Sequence, residues 1–395
     1  MKQVALALLM AAALSNAAVA DEESDEKILQ RAVSHAVAEV SPCIVRIDTL
    51  GDLSKGFKAP KSAREKGKGV LVRKGFKQAY GPSTGVIISP DGYILTSLFT
   101  LSRKPRHIFV SCHDGRQFVA KLAGKDESRG LALLKVEVER ALPVPRISPK
   151  ASLKSGMFSI ALGRGYGAKE VNVAVGILSA KDRVSGKALQ SSALISPANY
   201  GGALAGIDGR VMGLIVPLDA SGRLAGVKFY DSGIGFAIPL SDLVKVLPRL
   251  MAGETLQPGF LGVQADQTKV RGGIVIKKVI RRSPAAKAKL KAGDRVTHVD
   301  GRRVRSFFDL HFALGSKVAG EEVVIKYLRD GVQREARAKL APRTQKVGEN
   351  PFGVAPEGSP GGKEMPGGGA PGGGEKEHKK GGDHKGHDHE GHDHD

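Results

Sequence analysis

The segment S-P-A-N-Y-G-G-A-L, residues 196–204, has the composition of a loop built to present one side chain. Gly201 and Gly202 let a main chain turn tightly, or approach a neighbour closely, inside a β-rich stretch. The natural occupant of the position before such a pair is small and reactive, yet here it is Tyr200. A serine there would attack a carbonyl only with a base to take its proton and a carboxylate to orient that base. A phenol ionises near pH ~10, so at neutral pH it stays protonated and is a poor nucleophile toward an amide.

A second chemistry sits at the end of the chain. His384, His387, His389, His392 and His394 interleave with Asp383, Asp388, Asp393 and Asp395, and Gly-His-Asp-His occurs twice at a period of five. Imidazole suits Zn, Ni and Cu, and a histidine-rich tract is a compositional signal for metal binding. The spacing fits no structural zinc site. Weak adsorption of Zn, Ni or Cu is the expectation, against a solubilising, pH-responsive tail. No cofactor is required.

The 395 residues carry a net charge of +21. Such an excess favours anionic partners. Lys55 to Lys77 holds nine Lys/Arg against one acid, Glu65. That loop reads either as solvated chain or as a site for an anionic polymer. With no Trp and 5% aromatic residues, a stacking platform for single strands is poorly supported. Cys43 and Cys112 are the only cysteines. They read as one bridge or as two buried thiols.

Positioning these groups falls to many short elements. Residues 1–20 have a basic start, an apolar run from Val4 to Leu14 and an A-x-A site at Ala18–Ala20. This is the pattern of a cleaved signal peptide, and the run is short of the ~20 residues of a span. A periplasmic or otherwise exported protein is expected. Residues 25–40 place Ile28, Ala32, Val33, Ala36, Val37 and Val40 on one helical face. Five Asp-Gly pairs, starting at Asp91, Asp114, Asp208, Asp300 and Asp330, lie between β-branched runs and predict hairpins. A helix is expected over Leu240 to Met251, and another over Ser306 to Leu314. Gln257-Pro258-Gly259 reads as a joint. Twenty of the last 52 residues are Gly or Pro, so a disordered tail is expected.

Three segments together carry a resemblance: G-V-I-I-S-P-D-G-Y-I-L-T (85–96), G-L-A-L-L-K-V (130–136) and I-S-P-A-N-Y-G-G-A-L (195–204). With V-G-I-L-S-A (175–180) and G-I-G-F-A-I-P (233–239), the chain resembles the HtrA/Deg-type trypsin-like serine proteases, and residues 259–341 look like their PDZ domain. The resemblance implies a mainly β fold: a two-barrel domain over 42–252 after an N-terminal helix (21–41), a PDZ domain over 253–342 and a tail over 343–395. It puts Phe99 where active relatives have the basic His, Gly130 where they have Asp, and Tyr200 where they have the nucleophilic Ser. Ala198 stands where relatives have a Gly of the oxyanion hole. Phe99 and Tyr200 are expected to stack as an apolar plug. His107 and His113 read as surface histidines, and Ser83, Ser97 and Ser196 lack an identifiable base.

The PDZ-like segment keeps its parts better. Gly259, Phe260, Leu261, Gly262 and Val263 resemble the carboxylate-binding loop, with Ile274, Phe307, Leu310 and Leu314 as further pocket candidates. A peptide C-terminus would bind there by adding a strand. The resulting expectation is a catalytically silent protease homologue that binds unfolded proteins or protein C-termini. As chaperone, adaptor or regulator, it would work beside active relatives and as a homo-oligomer. Two alternatives stand beside it: a serine endopeptidase with a rearranged site, and a polyanion- or metal-binding envelope protein.

Overall fold

A computed structural model describes residues 25–50, 82–102, 105–165, 170–218, 233–266 and 272–343. It opens on helix α1, Asp25–Val40, with Asp25 and Glu26 in its first turn, where acids favour the helix dipole. Ala36 and Val40 are buried, and Val33 and Val37 pack against the same core. Ile28 is 51% exposed, so the stripe expected from Ile28 onward is covered only over the last turns. The helix meets the barrels through its C-terminal half.

The five Asp-Gly turns each join consecutive antiparallel strands. Six strands, β1 (Ile44–Leu50), β2 (Ser83–Ile87), β3 (Tyr93–Ser97), β4 (His107–Ser111), β5 (Gln117–Asp126) and β6 (Leu131–Lys135), run in one sheet. Pairing of β5 with β6 closes it into a barrel. Its inward residues, among them Val45, Ile47, Ile87, Ile94 and Val110, form one buried cluster. A second closed barrel holds β7 (Phe158–Gly163), β8 (Asn172–Asp182), β9 (Ala188–Ser191), β10 (Ala203–Ala205), β11 (Val211–Val216) and β12 (Gly235–Pro239). Strand β11, V-M-G-L-I-V, is buried at every residue, which accounts for its unbroken apolar reading.

The helix expected over Leu240 to Met251 is two short ones, α2 (Leu240–Val244) and α3 (Leu247–Met251). Pro248 is the cause: its nitrogen has no proton for the Val244 carbonyl, and its ring crowds that carbonyl. After them β13 (Thr255–Leu256) adds parallel to β5.

The C-terminal domain has β14 (Gly259–Phe260), β15 (Val263–Ala265), β16 (Ile274–Val279), α4 (Pro284–Lys287), β17 (Arg295–Val299), β18 (Arg302–Arg303), α5 (Phe307–Gly315), β19 (Glu322–Arg329), β20 (Val332–Lys339) and β21 (Ala341–Pro342). Its main sheet runs β15-β16-β17-β19-β20, with β18 on β17 and β14 paired with β21. Ser306 caps α5 in a reciprocal box with Asp309. Asp300-Gly301 and Asp330-Gly331 have positive φ at both residues, the turn form that matches strand twist. Cys43 and Cys112 are both buried and unbridged, and burial pushes each thiol up to about 11.

Candidate functional site

Strand β3 ends at Ser97, and a 3-10 turn over Leu98–Leu101 swings Phe99 inward. Ser97 holds that turn open by accepting the Phe99 N–H at 3.2 Å. The Leu98 N–H donates to the Gly130 carbonyl at 2.8 Å, so β3 brings Phe99 beside Gly130. Gly130 is buried with φ +73°, a turn that glycine adopts without strain. From the other barrel, Pro197–Asn199 form a 3-10 turn that delivers Tyr200.

Phe99 and Tyr200 meet edge to face, with ring centroids 5.2 Å apart and planes at 78°. They are 4% and 5% exposed. Ala161, Ala193, Leu204 and Ile215 complete the cluster around them. The three positions named from the resemblance therefore converge at the junction of the barrels, and what fills it is apolar.

The glycine pair has a packing role of its own. Gly201 has φ +87°, and a Cβ on it would lie 2.1 Å from the Thr84 carbonyl oxygen and 2.5 Å from Thr96 Oγ1. A Cβ on Gly202 would lie 2.1 Å from the Leu162 carbonyl oxygen. The loop is thus wedged between the two barrels, and only glycine fits there whatever the neighbouring side chain does.

The main chain around Tyr200 is committed as well. Its N–H donates to the Pro197 carbonyl at 3.3 Å, and the Asn199 N–H donates to Ser196 at 2.9 Å. An oxyanion hole needs amides aimed at a common empty point. Here the Tyr200 amide closes the 3-10 turn instead. Thr84 clamps the loop: its hydroxyl donates to the Ala198 carbonyl at 2.6 Å, and its N–H donates to the Tyr200 carbonyl at 3.2 Å.

Among the described residues, Ser83, Ser97 and Ser196 bond to no histidine or carboxylate. Ser83 Oγ donates to Thr100 Oγ1 at 2.9 Å, Ser97 Oγ faces the Gly130 carbonyl at 3.5 Å, and Ser196 Oγ donates to Asn199 Oδ1 at 2.9 Å. His107 is exposed on β4, and His113 is exposed in the turn after it, with Nδ1 3.4 Å from Arg164 Nη2. Sequence reasoning missed Thr84, Thr96, Thr100 and Arg164, whose partners lie far along the chain. Arg164 is wholly buried; its Nε donates to the Ile44 carbonyl at 2.9 Å and Nη2 to Ser41 at 3.1 Å. Burial holds its guanidinium below the usual arginine range.

In the C-terminal domain, Gly259 and Phe260 lie on β14, and Val263 begins β15. Between them Gly262 has φ +86°. The Leu261 carbonyl accepts the Ala285 N–H, and the Gly262 carbonyl accepts the Ile280 N–H, both at 2.9 Å. Among the described residues no acceptor takes the N–H of Leu261 or Gly262. Two successive amides at the head of an edge strand are suited to a carboxylate.

Leu261, Leu310 and Leu314 belong to the buried core, with Val263 and Phe307 packed at its margin. Ile274 has no exposed surface and belongs to the same core. Its apolar type and its place in β16 serve core and groove equally in sequence, and only burial separates them.

Helix α5 also touches the second barrel's domain. A Cβ on Gly315 would lie 2.4 Å from the Ser185 carbonyl oxygen, and one on Gly186 would lie 3.0 Å from the Phe312 ring. Arg129 Nη2 donates to the Ser316 carbonyl at 2.9 Å, while its Nη1 pairs with buried Asp126 at 2.6 Å. Lys187 donates to the Ser128 carbonyl at 3.0 Å beside this pair. Burial pushes the Lys187 ammonium down to about 8, with Arg129 adding to the effect.

The Lys55–Lys77 loop and the tail histidines lie outside the described residues. Among the described residues no group of three His, Cys, Asp or Glu is placed to hold a metal ion.

Comparison with known families matches residues 83–214 to the trypsin-like peptidase domain and residues 259–340 to the PDZ domain. A probable periplasmic serine protease do/HhoA-like of Haemophilus influenzae is 29% identical over 337 residues, covering 80% of this chain and 70% of that protein. The periplasmic pH-dependent serine endoprotease DegQ of Escherichia coli is 30% identical, covering 76% and 68%. A probable periplasmic serine endoprotease DegP-like of Chlamydia trachomatis is 33% identical over 265 residues, which span 63% of this chain and 51% of that protein. Among solved structures, the serine endoprotease from Yersinia pestis is similar at a TM-score of 0.53 and 26% identity, covering 79% of this chain and 98% of that one. The HtrA-type protease AlgW with tripeptide is similar at 0.59 and 25%, covering 80% and 99%.

Proposed function

This chain belongs to the HtrA/Deg-type trypsin-like serine proteases that carry a PDZ domain, and we propose that within that family it is proteolytically silent and works by binding polypeptide. Its ligands are unfolded segments or free C-termini, taken by the PDZ domain. Its setting is protein quality control in the periplasm, reached by a cleaved signal peptide, beside active relatives and as a homo-oligomer.

The observation that carries the reading is the edge-to-face contact of Phe99 and Tyr200 at the junction of the barrels. Amide hydrolysis needs a group there that can take a proton from the nucleophile and return it to the leaving amine. A phenyl ring accepts no proton, and Gly130 has no side chain to orient a base. Loss of the triad in a protease of related chemistry costs ~10⁶ in rate, about 8 kcal/mol of transition-state stabilisation. The binding half rests on main-chain groups, namely the Leu261 and Gly262 amides and the edge of β15, which no neighbouring strand covers among the described residues. Such groups recognise any C-terminus by its carboxylate and backbone. The HtrA-type protease AlgW has been solved with a tripeptide, in keeping with a peptide-binding reading.

The test has two arms on the purified mature protein. A casein assay and a serine-directed fluorophosphonate probe are expected to show neither product nor label. Hydrolysis abolished by changing one side chain between the barrels would overturn the silent assignment. Fluorescent peptides with a free C-terminus are expected to bind, and their C-terminal amides to bind far less. Equal binding of the two would remove the carboxylate-capture role.

A further inference from the structure

A cleft of about 750 Å³ opens between the end of the barrel domain and the back of the PDZ domain, away from the Phe99–Tyr200 junction. One wall is α3 and β13; the other is α4, β20 and β21. That volume falls within the usual range of small-molecule sites. Arg249, Arg282, Lys287, Arg337 and Lys339 line it, against a single acid, Glu254. Glu254 is already engaged, with its Oε2 2.9 Å from Arg249 Nε and 2.7 Å from Nη2. Arg337 reaches only Glu322, at 3.8 Å and in solvent. Among the described residues the side chains of Arg282, Lys287 and Lys339 have no ion pair or hydrogen bond. Five cations against one acid leave the cleft strongly positive, and like charges held across a cleft repel one another.

Two further features give the cleft the character of a site. Arg282 has φ +61°, a conformation that L side chains other than Asn and Asp rarely adopt. Backbone strain of this kind clusters at ligand clamps. The floor is small and apolar, drawn from Ala288, Ala319, Ala338 and Leu340, with no aromatic ring in the lining. A nucleobase would find nothing to stack on. The guanidinium forks of Arg282 and Arg337 suit oxygen pairs on phosphate, which such forks bind bidentately.

We propose that this cleft binds a compact, non-aromatic polyanion carrying two or more phosphate groups. Such a ligand spans both walls, pairing with Arg249 on one side and with Arg282 and Lys287 on the other. It therefore fastens the PDZ domain to the barrel domain through charge. The inference is independent of peptide capture and of proteolytic silence.

Calorimetric titration of the mature protein with sodium tripolyphosphate tests it. The expected result is one site per chain, with affinity falling as salt is raised. In R282Q/K287Q the affinity falls at least ~10-fold, while K277Q/K278Q, the same charge change on β16 outside the cleft, stays within ~2-fold. Far-UV circular dichroism and the thermal midpoint verify that each variant is folded, and R337Q/K339Q repeats the loss from β20, on the same wall. No binding to the wild type, or equal loss in the β16 control, overturns the proposal. So does citrate or a polyglutamate peptide binding more tightly than tripolyphosphate with the same dependence on the cleft.

Discussion

Truncating the two rings at the junction of the barrels, singly and together, measures what the plug contributes. Phe99 and Tyr200 are each at least 95% buried, since they are 4% and 5% exposed. Replacing a buried aromatic by alanine costs ~3–5 kcal/mol through lost transfer energy and the cavity left behind. Ala161, Leu204 and Ile215 share the Phe99 cluster. The part that belongs to the pair is the edge-to-face contact at 5.2 Å, and such pairs are worth ~0.5–1.5 kcal/mol beyond area burial. Phe99→Ala is thus expected to lower the barrel-domain transition by ~6–20 °C, at ~2–4 °C per kcal/mol for a domain of this size. The double variant loses ~0.5–1.5 kcal/mol less than the sum of the singles. Urea unfolding followed by far-UV circular dichroism reads it, since the chain has no Trp to report by fluorescence. Additivity of the singles to within ~0.3 kcal/mol, or a Phe99→Ala loss below ~1 kcal/mol, would refute the plug as a coupled packing unit.

Two other outcomes follow from the same geometry. Gly201→Ala is expected to destabilise by more than ~3 kcal/mol, because its Cβ would lie 2.1 Å from the Thr84 oxygen at φ +87°; a loss under 1 kcal/mol in denaturant melts would mean the loop can withdraw from the first barrel. For Lys187 the folded value is about 8 against the ordinary 10.5. Below pH 8 the ammonium is charged in both states and its burial penalty is complete. Between there and 10.5 the native protein has shed a proton that the unfolded chain still holds, so stability rises with pH. Lys187→Met is expected to be more favourable relative to wild type at pH 7 than at pH 10, and a pH-independent difference in melting would refute the burial of that charge.

The sequence alone determined the mainly β character of the chain, because the features that encode it are local. Each Asp-Gly pair carries its own turn, and each β-branched run its own strand. The strands between those turns close into the two barrels and the C-terminal sheet. Glycine at 130 and aromatic rings at 99 and 200 could be read without coordinates, since residue type is given by the sequence itself. Two misjudgements were also local. Pro248 broke a helix whose periodicity ran through it, and Ile28 is 51% exposed although Ala36 and Val40 on the same face are buried.

What only the tertiary structure decided depends on partners distant in the chain. Ile274 could belong to core or groove until burial assigned it to the core. The glycine pair looked like support for chemistry, and Thr84 and Leu162 showed it to be a packing wedge. The cationic cleft gathers Arg249, Arg282, Lys287, Arg337 and Lys339 from 90 residues of chain. Charge acts through space on groups that the sequence holds far apart, so their convergence became visible only once two domains were folded against each other.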